Sequence, residues 1–176
     1  SSIHTPADVH ALSAQQLRDL CFEIRTTLLD YGRKHGGHIG SNLGVVELTV
    51  ALHRVFDSPR DRFIFDVSHQ SYVHKMLTGR AEAYLDQSRF DEVTGFTNPL
   101  ESEHDSFVLG HTGTSISLAC GLAKTRDMQR GAAGDHQHGA GHRAADPGNG
   151  AAERFTHGKH KGQHGAGGVP CHRLID

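Results

Sequence analysis

The composition of this 176-residue chain changes abruptly near residue 130, and the change limits what the last part can fold into. Residues 131–176 contain 11 glycines and 7 histidines, but few large apolar side chains: Phe155, Val169, Leu174 and Ile175. Ordering the backbone costs about 1–2 kcal/mol per residue, which so few apolar groups cannot offset. We therefore predict a folded region over 1–130 and a Gly/His-rich tail over 131–176 that is disordered or poorly packed.

The charge balance and the cysteines exclude several classes of protein. The net charge is -2, which gives no general electrostatic attraction to nucleic acid or to an anionic membrane surface. No stretch approaches the roughly 18 apolar residues of a membrane span. The cysteines are three, widely spaced and without a CxxC pair, which favours a reducing, cytoplasmic location over a disulfide framework.

Hydrophobic periodicity predicts mainly helices in the first region. Ser13 can cap a helix over 14–33, in which apolar residues recur every three or four positions. A second helix is expected over 45–56, where the sequence is apolar on most sides and the helix should be largely buried. Shorter helical patterns follow at 70–78, 81–87 and 116–128.

Two short apolar runs, residues 62–67 and 106–109, predict strands. Helices that alternate with short buried strands indicate an α/β fold with a mostly parallel sheet. Because two strands are too few for a finished sheet, we expect an incomplete α/β domain. The acids of the loop between the two runs are expected to form a solvated face: Glu101, Glu103 and Asp105.

Three histidines follow small residues at predicted turns: His38, His69 and His111. In parallel α/β folds, ligands bind in the crevice at the carboxyl ends of the strands. Imidazole can donate to a phosphate or move a proton near neutral pH. Taken singly, each of them is more simply explained as an ordinary surface or core histidine.

The segment 110–115, GHTGTS, opens a predicted helix. The free N–H groups and the positive end of a helix attract anions, so the segment is a candidate anion site. It is not a Walker loop, because no GKS or GKT sequence follows. Thr112 or Thr114 acting as an ordinary helix cap explains the same residues, so the pattern alone leaves both interpretations open.

Four motifs, in the same order, resemble those of the 1-deoxy-D-xylulose-5-phosphate synthases. Residues 36–49 (GGHIGSNLGVVELT) resemble GGH-x-x-S-x-LG-x-VEL-T, and residues 66–80 (DVSHQSYVHKMLTGR) resemble DVGHQ-x-Y-x-HK-x-LTGR. Residues 101–105 (ESEHD) resemble ESE-x-D, and residues 110–117 (GHTGTSIS) resemble GHSSTSIS. A transketolase-like enzyme is the alternative within the superfamily, which shares the GH pattern but lacks the HK-x-LTGR and ESE-x-D runs.

The resemblance implies a thiamine-diphosphate-dependent transferase that condenses pyruvate with D-glyceraldehyde 3-phosphate and releases carbon dioxide, a step toward isoprenoids, thiamine and pyridoxal. It further implies a cofactor held through Mg²⁺ and a homodimer in the intact family. By matching position, His38 resembles the family's catalytic, proton-moving histidine and His69 its cofactor-contacting histidine. Gly110, His111 and Thr112 resemble its cofactor-binding segment.

Departures from the family pattern begin with two exchanges of one small residue for another. Ser68 stands where the family has glycine, and Gly113 stands where it has serine. The larger departure starts at about Arg130, where the family continues with an apolar strand, a GDG sequence and a later Asn. Its Asp and Asn hold Mg²⁺, and since no apolar strand precedes Asp135 or Asp146, we assign no metal ligand to this chain.

Three interpretations of the tail stay open. A frameshifted or misassembled coding sequence is the favoured one, because the Gly/Ala/His/Arg mixture is typical of a GC-rich gene read in a wrong frame. The second is a His-rich metal-binding appendage. The third is a non-catalytic remnant that folds by docking on an intact homologue. We expect the chain alone to be inactive.

Overall fold

The computed structural model describes residues 3–110 and 113–134, with side chains as far as Arg130. Most of the predicted tail therefore lies outside the described residues. The helices of the described part are α1 Pro6–His10, α2 Ala14–Lys34, α3 Ile39–Leu43, α4 Val46–Val55, α5 Tyr72–Lys75, α6 Glu82–Leu85 and α7 Ser115–Gly134. A wider helical turn, Met76–Arg80, continues α5, and a 3₁₀ turn, Gln87–Glu92, follows α6.

The long helix α2 confirms the sequence prediction for residues 14–33 and extends it by one residue. Ser13 and Gln16 form a capping box, in which the Ser13 hydroxyl accepts from the Gln16 N–H at 3.3 Å and the Gln16 side chain accepts from the Ser13 N–H at 2.9 Å. Two of the N–H groups left open at the helix start are thereby satisfied. The predicted apolar face is the buried one, with Leu20, Ile24, Leu28 and Tyr31 in the core.

Helix α4 packs with one face only, so the expectation that it is largely buried is wrong. Val46, Val50 and His53 are buried, whereas the side chains of Leu48 and Val55 are 60% and 71% exposed. A ten-residue helix presents its apolar residues on more than one side, and among the described helices α1, α2 and α5 pack most closely against it. The opposite face remains open among the described residues.

The predicted helices 70–78 and 81–87 form, but a break separates them. Thr78 and Gly79 leave the helical conformation, and Gly79 has φ +91°, which only glycine adopts without steric cost. The Thr78 hydroxyl donates to the carbonyl oxygen of His74 at 2.7 Å. After this break, the side chain of Arg80 reaches the carboxylate of Asp105.

The prediction of an α/β fold with a mostly parallel sheet is wrong for the described residues, which contain helices and no strand. Residues 62–67 and 106–109 are irregular, and no backbone hydrogen bond between them occurs among the described residues. A strand is stable only when a neighbouring strand pairs its N–H and C=O groups. Side chains join these segments instead, for example Arg62 to the Ser106 hydroxyl at 3.3 Å.

Helix α7 begins one residue before the predicted start and carries no buried side chain between residues 115 and 130. Its apolar residue Ile116 is 74% accessible among the described residues. Apolar spacing alone does not bury a face, because burial requires a second element against it. In the part of the chain that the structure describes, no helix is long and apolar enough to span a membrane.

Candidate functional site

Two of the three predicted histidines lie side by side. His38 immediately precedes α3 and His69 lies in the turn before α5, and their ring centroids are 5.4 Å apart at an angle of 74°. The ring of Phe96 lies against His38 at the same centroid distance of 5.4 Å. His38 is exposed, whereas His69 is half-buried and its Nδ1 atom is buried without a hydrogen-bond partner. His111, the third histidine, lies outside the described residues.

Asn42 fixes the two histidine-bearing turns to each other. Its side-chain amide donates to the carbonyl oxygens of His38 and His69, both at 2.7 Å, and its Oδ1 accepts from the Tyr72 N–H at 2.9 Å. The side chain is fully buried. Both amide hydrogens and one lone pair of the oxygen are used, so Asn42 ties α3 to the start of α5. Sequence reasoning missed Asn42, which stands at a variable position of the GGH motif.

The turn before His69 has an unusual backbone. Val67 and Ser68 have φ values of 60° and 64°, a region that side-chain-bearing residues seldom adopt and β-branched ones avoid. This conformation explains why glycine suits position 68. Hydrogen bonds of the buried Ser68 hydroxyl offset the cost of this backbone conformation. The hydroxyl donates to the Leu109 carbonyl oxygen at 2.6 Å and accepts from the Thr97 N–H at 3.2 Å.

The predicted anion site before α7 holds a carboxylate of the chain itself. The Gly113 N–H donates to the two carboxylate oxygens of Asp66 at 2.9 and 3.0 Å. This hydrogen bond, with further ones from Ser115, lowers the pKa of Asp66. Gly110 has open space around its Cα, and Thr112 lies, like its neighbour His111, outside the described residues. The Gly113 N–H is thus occupied by Asp66, and the anion site stays a prediction.

A buried polar network lies behind the histidine pair, centred on Asp105. The carboxylate of Asp105 receives two bonds from the Arg80 guanidinium, at 2.7 and 2.9 Å, and one from His74 Nε2 at 3.1 Å. The other ring nitrogen of His74 lies 2.9 Å from Nε2 of His53. The side chains of Asp105 and His74 are completely buried.

Lys75 and Glu101 complete this network. The fully buried Lys75 ammonium lies 2.6 Å from the Glu101 carboxylate, which also contacts Arg80 at 3.2 Å. Two cations therefore face two carboxylates in a region that excludes water. The prediction of a solvated acidic face is wrong for Glu101 and Asp105 and holds only for Glu103, which is exposed.

Burial and pairing set the protonation states in this network. Burial alone would raise the pKa of Asp105, but hydrogen bonds from His74 and Arg80 outweigh it and hold that pKa well below its usual range. Burial lowers the pKa of His74. It lowers the pKa of His53 to about 3, and the neighbouring His74 acts in the same direction. Asp105 is therefore ionised and both histidines are neutral near pH 7, so His53 donates to His74 and His74 to Asp105.

The network anchors a loop that touches the candidate site. The loop covers residues 94–98. At its start, Nζ of Lys75 donates to the carbonyl oxygen of Thr94 at 2.8 Å. At its end, the carboxylate of Asp105 accepts from the N–H of Asn98 at 2.8 Å. Between these two anchors lies Phe96, whose ring contacts that of His38. The charged residues of the HK-x-LTGR and ESE-x-D motifs thereby hold in place the loop that carries Phe96. Their opposite charges could have indicated this structural role from the sequence.

The described residues offer polar atoms to a ligand but no group of side chains that could hold a metal ion. The buried, unpartnered Nδ1 of His69 and the exposed ring of His38 offer polar atoms to a ligand. Among residues 3–110 and 113–130, no group of three or more His, Cys, Asp or Glu side chains could hold a metal ion. The histidines proposed as metal ligands in the tail lie outside the described residues.

Comparisons with known proteins agree with the motifs. A family profile described as 1-deoxy-D-xylulose-5-phosphate synthase matches residues 1–137. Curated proteins of that name are 52% identical over 138 residues in Acidobacterium capsulatum and 58% identical over 123 residues in Chlamydia trachomatis. These alignments cover 78% and 69% of this chain, but only 21% and 19% of the relatives. The chain thus spans about a fifth of the length of the curated relatives it matches.

Proposed function

The chain belongs to the 1-deoxy-D-xylulose-5-phosphate synthase family, and on that premise we propose that residues 1–130 serve as the N-terminal part of a synthase. In this proposal, the longer enzyme condenses pyruvate with D-glyceraldehyde 3-phosphate and releases carbon dioxide. We further propose that it acts as a homodimer with thiamine diphosphate and Mg²⁺.

The pairing of His38 with His69 is the observation that carries the proposal. The two histidines are 31 positions apart in the sequence, yet their rings approach to 5.4 Å, held by the buried amide of Asn42. His38 is exposed and can exchange protons with a substrate, so it takes the catalytic role. His69 has a buried ring nitrogen without a partner, so it takes the cofactor-binding role.

When bound, thiamine diphosphate supplies the electron sink that loss of carbon dioxide from pyruvate requires. In this proposal the residues of this chain would bind and orient the cofactor, through His69 and through the segment that contains Gly110, His111 and Thr112. We propose that the Mg²⁺ ligands come from beyond the described residues, because no carboxylate cluster occurs among them.

A chimera tests the proposed activity. Residues 1–130 of this chain would replace the aligned segment of the Acidobacterium capsulatum synthase, and 1-deoxy-D-xylulose 5-phosphate formation would be measured. We expect an active chimera, whose rate falls about 100-fold or more when His38→Asn removes the proton-transfer group.

The matched control is His35→Asn, a variant of an exposed histidine at the end of α2. It should leave the rate of the chimera unchanged. A folded chimera without activity, or a His38→Asn variant as fast as the control, would refute the proposed function.

A further inference from the structure

We propose that Tyr72 is a positioning residue that sets the tautomer of His38, so that Nε2 of the neutral ring carries the proton. The inference deepens the proposed function and rests on it, since a fixed tautomer matters only if His38 moves protons. Tyr72 belongs to the DVGHQ-x-Y motif, but the family resemblance gives it no role.

The Tyr72 hydroxyl makes two contacts with the same histidine. Its oxygen accepts from the backbone N–H of His38 at 3.2 Å, and it lies 3.3 Å from Nδ1 of the ring. The backbone amide can only donate, so the phenol oxygen accepts from it. The buried phenol also has a proton to donate, and Nδ1 is its hydrogen-bond partner among the described residues, so we assign Nδ1 as the acceptor. In a neutral imidazole one nitrogen accepts and the other carries the proton, so the proton lies on Nε2.

Tyr72 is held rigidly enough to impose this choice. It is only 3% exposed, and its N–H donates to Asn42 at 2.9 Å. Its ring packs against those of Tyr31 and Tyr84, with centroid distances of 6.0 and 5.4 Å. The backbone of His38 is held as well, since its carbonyl oxygen accepts from the Asn42 side chain.

Two glycines make room for the Tyr72 hydroxyl. A Cβ at Gly37 would lie 2.8 Å from the hydroxyl oxygen, and the φ of +101° at this position also favours glycine. A Cβ at Gly95 would lie 3.4 Å from both the hydroxyl oxygen and Cε1 of His38. The contact between Tyr72 and His38 is therefore built from three separate segments of the chain.

The tautomer decides what His38 can do first. With Nε2 protonated and Nδ1 occupied by Tyr72, the ring offers a hydrogen-bond donor to a substrate oxygen and no free acceptor. His38 thus donates a hydrogen bond from Nε2–H to a substrate oxygen and polarises it, and in this tautomer it cannot take up a proton at Nε2. This restriction follows from the hydroxyl of Tyr72.

Nitrogen NMR of the full 176-residue chain, with ¹⁵N-labelled histidines, tests the proposal. The spectra are recorded at about pH 8, above the ordinary histidine pKa of about 6.5. His38→Gln identifies the signals of His38. We expect wild type to show Nε2 protonated and Nδ1 as a hydrogen-bonded acceptor. In Tyr72→Phe, the other tautomer should rise to the fraction shown by the exposed His4.

Tyr84→Phe is the matched control, since its hydroxyl is buried in the same aromatic cluster without a partner. It should leave the His38 signals unchanged. Protonated Nδ1 in wild type, or unchanged His38 shifts in a folded Tyr72→Phe, would overturn the proposal. If Tyr72→Phe does not fold, Gly37→Ala, whose Cβ would lie 2.8 Å from the Tyr72 hydroxyl and so displace it, should shift the tautomer ratio instead. An unchanged ratio in that variant would overturn the proposal. If the NMR result contradicts the tautomer assignment but the chimera is active and depends on His38, the proposed function still holds.

Discussion

Replacing Asp105 by asparagine is expected to lower the free energy of unfolding by about 3–5 kcal/mol, the range for breaking one side of a buried ion pair. Asparagine keeps the shape of the side chain but removes its charge, so the Arg80 guanidinium loses the closer of its two carboxylate partners and keeps only Glu101 at 3.2 Å. His74 loses the charged acceptor of its Nε2–H as well. Urea unfolding followed by circular dichroism measures the change.

Glu103→Gln provides the control for this prediction, because Glu103 lies two residues away in the same loop and is exposed. Its unfolding free energy should stay within about 0.5 kcal/mol of wild type. Arg80→Lys keeps the positive charge but loses the bidentate contact with Asp105. Its loss of unfolding free energy should therefore lie between those of Asp105→Asn and Glu103→Gln. It should remain measurable even if Asp105→Asn is unfolded. Equal costs for Asp105→Asn and Glu103→Gln would contradict the buried network.

Acidification below pH 6.5 is expected to destabilise the chain through His53 and His74. Their pKa values are lowered in the folded state, so below about pH 6.5 the unfolded chain binds protons that the folded chain does not. Stability is therefore complete above pH 6.5 and is lost as the pH falls. Each histidine contributes a slope of up to about 1.4 kcal/mol per pH unit. Below about pH 4, the lowered pKa of Asp105 adds to the loss in the same direction.

His53→Gln isolates one of these protons. The glutamine amide can still donate to Nδ1 of His74, but it does not titrate. Between about pH 6 and 4.5, the slope of unfolding free energy against pH should fall by about 1.4 kcal/mol per unit. His4→Gln, which replaces an exposed histidine, should keep the wild-type slope. A His53→Gln slope equal to that of wild type would show that His53 is not buried as a neutral ring.

The sequence was most informative where the physics is local. Ser13 and the apolar spacing that follows it predict α2 nearly to the residue, because capping and helical periodicity depend on neighbours along the chain. The two strand predictions failed for the opposite reason. An apolar run such as 62–67 can become a strand only with a partner, and no partner pairs with it among the described residues.

The candidate site shows the same division between local and long-range effects. The motifs singled out His38 and His69, but the amide that joins their turns, Asn42, acts across 27 residues and left no local signal. Likewise, Asp105 looked like a surface acid until the fold placed Arg80, 25 residues earlier in the chain, against it. The residue types in the sequence predicted which side chains could bind or react. Which of them contact each other could be seen only in the structure.

Calorimetric titration of the 176-residue chain with thiamine diphosphate and Mg²⁺ tests the central claim most directly. That claim is that the described residues contribute His38 and His69 to the proposed cofactor site but include no ligands for the metal ion. We predict no binding at micromolar cofactor, with or without Mg²⁺. Micromolar binding that depends on Mg²⁺ would show that this chain holds the metal by itself, and would contradict the account.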